Sequence, residues 1–119
     1  MSSTARLEAI ARIVVADVLR SLPLELREVA QRCQIVYEGV ASDPEDEGLL
    51  GLFTGCSLLD GSPEGPGEFP VITLFLREIW EMSEGVESVF HEEVRVTYLH
   101  ELGHYLGWDE EEIEIRGLA

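Results

Sequence analysis

Lysine and asparagine are absent from this 119-residue chain, and basic residues of any kind are few. The eight cations are all arginine and face 24 acidic residues, for a formal charge of −16. So negative a surface repels phosphate backbones, which argues against nucleic acid and favours cationic peptide or protein segments as partners. Long apolar runs are missing too. After Arg12 the N-terminal region offers only Ile13-Val14-Val15-Ala16, and Glu8, Arg12 and Asp17 interrupt any signal-peptide core. No stretch approaches the roughly 18 apolar residues of a membrane span, so no membrane association and a cytoplasmic location are expected. Cysteine is limited to Cys33 and Cys56, which form no CxxC or zinc-knuckle spacing. They read as small buried thiols, with a disulfide between them as the alternative.

What is present is ordinary for a folded protein. Hydrophobic residues make up 45% of the chain, enough for a core rather than a disordered segment. At 13.3 kDa, residues 1–119 are expected to form one domain. The most informative stretch is His100-Glu101-Leu102-Gly103-His104-Tyr105-Leu106-Gly107-Trp108-Asp109-Glu110, an HExxHxxG pattern followed by acidic residues. On a helix, His100 and His104 are displaced by only about 40° and project from one face. Two such imidazoles suit adjacent corners of a tetrahedral Zn²⁺ site. Glu101, about 100° round from His100, lies beside the metal rather than on it, where a general base takes a proton from water.

Gly107 can adopt the positive φ that ends a helix and turns the chain back. The residues after it then return a third ligand, Glu110 first and Asp109 second among the cluster Asp109-Glu110-Glu111. The plainer alternative is an amphipathic helix with two solvated histidines, a glycine cap and an acidic tail.

The remaining elements follow from periodicity and turn residues. Leu7, Ile10, Ala11, Val14 and Val18 predict a helix over 4–21, capped by Ser3 or Thr4. Ser21-Leu22-Pro23 stops it and starts a short second helix, with Pro23 in the first turn and Arg32 near its end. Strands are expected at 34–40, 49–54 and 71–76, the last being the clearest. Acidic 41–48 and Gly- and Pro-rich 55–69 read as loops. A helical turn is expected at 79–82, and a helix from Val86 or Glu92 to Leu106 carries the motif. Ile113 and Leu118 offer a closing apolar contact. Strands grouped between helices predict an α+β fold with a small mixed sheet.

With those elements in place, the chain resembles the minimal zincin-like metallopeptidases of bacteria, from about Leu7 to Gly117. The resemblance rests on Leu22-Pro23, Leu49-Leu50-Gly51-Leu52-Phe53-x-Gly55, Ile72-Thr73-Leu74-Phe75 and the motif itself. Glu110 stands where the family usually has Asp, and Tyr105 where many members have a further His. The resemblance implies a small sheet packed on the motif-bearing active-site helix, with the N-terminal helix backing it. It implies Zn²⁺, a peptide or protein substrate, and peptide-bond hydrolysis with Glu101 as base. It also implies substrate pairing with an edge strand, read as 71–76. One alternative is a metal- or partner-binding module without turnover. Another is a metallo-endoribonuclease of ribosomal RNA maturation, whose HxxxHxxGYDH run is similar; Glu101 and the negative charge oppose it.

Other polar residues read more plainly. His91 lies about 180° from His100 and should face solvent. Glu93, two turns before His100 on nearly the same face, reads as an exposed charge. Thr97 either orients Glu101 or bonds its own helix. Tyr105 is expected to pack rather than donate to an oxyanion, and Trp108 to plug the turn.

Overall fold

The computed structural model describes residues 3–61 and 65–115. Helix α1 spans Thr4–Ser21, and the Ser3 hydroxyl accepts from the Arg6 N–H at 3.2 Å. Leu7, Ala11, Val14, Val15 and Val18 form its buried stripe, each of the larger ones contributing about 1.5–3 kcal/mol of burial. The guanidinium of Arg27 donates to the carbonyls of Leu19, Arg20 and Leu22, satisfying groups that the end of α1 leaves open. Helix α2 (Leu24–Ala30) starts one residue later than expected. Pro23 is its N-cap, not part of its first turn, and Arg32 lies beyond its end.

Three strands form one mixed sheet: β1 (Gln34–Glu38), β2 (Gly51–Thr54) and β3 (Val71–Phe75), in the order β1-β3-β2. β1 runs parallel to β3 with Ile35 opposite Ile72, and β2 runs antiparallel to it with Phe53 opposite Ile72. This corrects the edge-strand expectation. Val71–Phe75 is the central strand, and its Ile72 and Leu74 are fully buried. An apolar strand gains most where both backbone edges are paired, whereas shorter, glycine-bearing β2 falls at an edge.

Leu76, expected to end the strand, instead opens helix α3 (Leu76–Met82). Helix α4 (Glu87–Tyr105) carries the motif and packs on α1, α3, β2 and β3. Crossed by so many partners, it buries Phe90, Val94, Thr97, Tyr98, Leu99, Glu101, Leu102, Gly103 and Tyr105 on several sides. A last helix, α5 (Glu110–Ile115), stands where only an apolar contact was expected. Ile113 is fully buried as anticipated, while Leu118 lies outside the described residues. The two loops contain 3-10 turns at Pro44–Asp46, Leu58–Asp60 and Pro66–Glu68. No helix among the described residues is long and apolar enough to cross a membrane.

Cys33 is a free, buried thiol, and Cys56 is half-buried. Burial pushes the Cys33 thiol up to about 12, against the opposing effect of a hydrogen bond with the Ile72 backbone. The thiolate is the reactive form. Native protein at pH 8 should therefore show one thiol, Cys56, reacting with a chromogenic disulfide, and the second only after denaturation. Equal native rates for Cys33→Ser and Cys56→Ser variants would contradict that assignment.

Candidate metal centre

The last two turns of α4 place His100 and His104 on the same side, with ring centroids 4.7 Å apart and planes at 88°. One ligand atom each from His100, Glu101 and His104 lies within 4.8 Å of the others, so this group can hold a metal ion. The helix ends as its glycine demands. Gly107 has φ +84°, its N–H donates to the His104 carbonyl, and the Trp108 N–H reaches back to Gly103. That is a Schellman ending, and it turns the chain back over the histidines. Trp108 is half-buried at this turn.

Two close approaches hold the returning chain. A Cβ on Gly103 would lie 2.6 Å from Cγ1 of Ile113, so α5 seats this buried side chain directly on the motif helix. A Cβ on Gly107 would meet Leu59 at 2.4 Å, which packs the 58–60 turn over the helix end. Seated this way, α5 brings Glu110 to both imidazoles. Its carboxylate oxygens lie 2.6 Å from His100 Nε2 and 3.0 Å from His104 Nε2. Asp109 does other work: its carboxylate accepts from the Glu112 N–H at 2.9 Å and caps α5. Glu111 is exposed.

Glu101 meets the pair from another direction. Its Oε2 lies 3.0 Å from His100 Nδ1, the ring nitrogen that does not face Glu110. The residue is only 8% exposed. Gly51 of β2 makes room for it, since a Cβ there would come within 2.7 Å of Thr97 and 3.2 Å of Glu101. Sequence reasoning missed this packing, although a glycine inside an apolar strand is the usual sign of close approach.

Carboxylates stand at both ring nitrogens of His100, Glu101 at Nδ1 and Glu110 at Nε2. Burial pulls the His100 pKa down, but the hydrogen bonds to Glu110 and Glu101 and their charges raise it above the ordinary value overall. Glu110 is lowered, chiefly by its hydrogen bond with His100.

The donor set fits a zinc ion. Two Nε2 atoms and a carboxylate converge on one region, and tetrahedral zinc ligands stand about 3.3 Å apart. The Glu110 side chain is 69% exposed, so its carboxylate is free to adjust toward a shared ion.

The other polar residues sort differently. His91 is exposed and pairs loosely with Glu87 at 3.9 Å. Tyr105 is buried against Phe53, with ring centroids 5.8 Å apart, so it packs as expected. Glu93 is half-buried, not freely exposed, and lines a groove beside His100. No curated protein matches the chain. The family model for zincin-like metallopeptidases matches residues 23–118, from the start of α2 through the whole motif, and the chain belongs to that family.

Proposed function

We propose that this chain is a zinc-dependent metallopeptidase in which His100, His104 and Glu110 hold the ion and Glu101 is the general base. The observation that carries the reading is the division of the two carboxylates around His100. Glu110 faces both Nε2 atoms, while Glu101 faces Nδ1. One carboxylate is thus placed to share an ion with the imidazoles and the other to stay off it. A bound zinc ion would polarise a peptide carbonyl and acidify water at the site.

The protein's own groups do the rest. Glu101 orients His100 by accepting from Nδ1–H, which directs the lone pair of Nε2 to the ion. As a carboxylate in a site walled by Gly51 and Thr97, it accepts the proton of the attacking water. It then returns that proton to the leaving amine. The peptide backbone is expected along the outer edge of β2, whose Gly51 lies against Glu101. This replaces the assignment to 71–76, which has no free edge.

Zinc and the proton compete for His100, and the sign follows from its raised pKa. Above that pKa zinc binds without displacing a proton. Below it, each pH unit should weaken the apparent Kd about tenfold. Calorimetry across pH in buffers of different ionisation enthalpy should find about one zinc per chain and a proton released on the acid side. The loaded protein should cleave unstructured peptides, lose the activity to a chelator and regain it with zinc. One bound zinc with no cleavage of any peptide would favour the binding module without turnover.

A further inference from the structure

Beside the metal centre lies a groove of about 360 Å³ between α4, the end of α3 and the residues leading into β2. Its walls are aliphatic, supplied by Leu49, Leu50, Met82 and Val96, and His100 and Glu101 form one end. Glu93 also lines it. This side chain is half-buried and has no hydrogen bond or ion pair with any described residue. Its neighbours on α4 are engaged: Glu87 pairs with Arg6 at 2.7 Å and Glu92 with Arg95 at 2.8 Å. A carboxylate kept half out of water without a partner, in an apolar groove that opens on a reaction centre, is short of a cation.

We infer that this groove receives a basic side chain of the substrate, arginine or lysine, with Glu93 as the residue that selects it. The inference rests on the peptidase reading and specifies its substrate. Glu93 and His100 are two turns apart, about 10.5 Å along the helix axis. A residue held at the reacting carbonyl spans that distance only with a long side chain. The aliphatic stem of lysine or arginine covers Leu50, Val96 and Met82 while its charged head meets Glu93. An aliphatic side chain would fill the walls and leave the carboxylate unpaired and less hydrated. An acidic one would face both Glu93 and Glu101. The charge of −16 draws cationic peptides to the whole surface, so selection by Glu93 must exceed that general attraction.

The test uses the full chain carrying Glu101→Gln to prevent turnover, loaded with zinc. It is titrated by fluorescence anisotropy with labelled alanine–glycine peptides bearing one variable residue. Arginine and lysine peptides should bind about tenfold tighter than the uncharged norleucine peptide, and the glutamate peptide weaker than norleucine. Adding Glu93→Gln should erase the preference for arginine over norleucine, by weakening arginine binding and removing the cost that an uncharged side chain meets beside the carboxylate. Glu93→Arg should turn the preference toward glutamate. Glu25→Gln, which removes the same charge from an exposed position on α2, should leave the preference intact. Equal effects of Glu93→Gln and Glu25→Gln would assign the preference to the overall field and overturn the inference, with the peptidase reading untouched. Failure of the zinc-loaded protein to bind any of the peptides would overturn both.

Discussion

Glu101→Gln should lower the peptidase rate by about 10²–10⁴ while leaving zinc content at about one per chain. The amide keeps the size of the carboxylate and can still accept from His100 Nδ1–H through its oxygen, at the 3.0 Å separation Glu101 holds now. The packing against Gly51 and Thr97 also survives, because the side-chain carbons are unchanged. What is lost is the basic oxygen that accepts the proton of the attacking water. Glu101→Asp separates geometry from basicity. It keeps the charge but withdraws the oxygens by one methylene, and should recover only a small part of the rate. The readouts are steady-state kcat/KM and metal analysis of the same samples. Parallel loss of zinc and activity in Glu101→Gln would make Glu101 a ligand or a structural residue.

Much of the site was readable because it is local. His100, Glu101, His104 and Gly107 lie on one helix and its cap, and helical spacing alone fixes their relative directions. The order of the strands was less accessible. Residues 71–76 carry the strongest strand signal, and that signal reports burial, not position in the sheet. The same burial makes it central, so the free edge passes to Gly51–Thr54. Leu76 was misplaced for a related reason, since an apolar residue suits both the end of a buried strand and the buried face of the helix that follows. Helix α5 was hidden because four of its six residues are glutamate, and two isoleucines give no helical apolar stripe. Its formation depends on Ile113 finding the space above Gly103, a tertiary fact.

Three glycines therefore act as spacers around the centre, each for a different neighbour. Gly51 admits Thr97 and Glu101, Gly103 admits Ile113, and Gly107 admits Leu59. Glycine in a helix interior costs about 0.5–1 kcal/mol against alanine. At Gly103 that cost is offset by the contact that carries Glu110 to the histidines.

His100→Ala and His104→Ala should each reduce zinc from about one per chain to none detectable after dialysis. Either change leaves only one imidazole and Glu110, too few groups to retain the ion at neutral pH. Glu110→Ala should weaken zinc binding next most, because its oxygens are the ones facing both Nε2 atoms. Asp109→Ala should have a smaller effect that acts through α5. Removing the cap on the Glu112 N–H costs about 0.5–2 kcal/mol of helix stability and frays the segment that presents Glu110. Glu111→Ala should change little. Competition with a chromophoric chelator at fixed pH measures all five variants on one scale. Asp109→Ala as the worst of the three acidic variants would shift the third ligand by one residue. No effect from any of the three would leave the ion with the histidines alone, and catalysis of the kind proposed would lose its support.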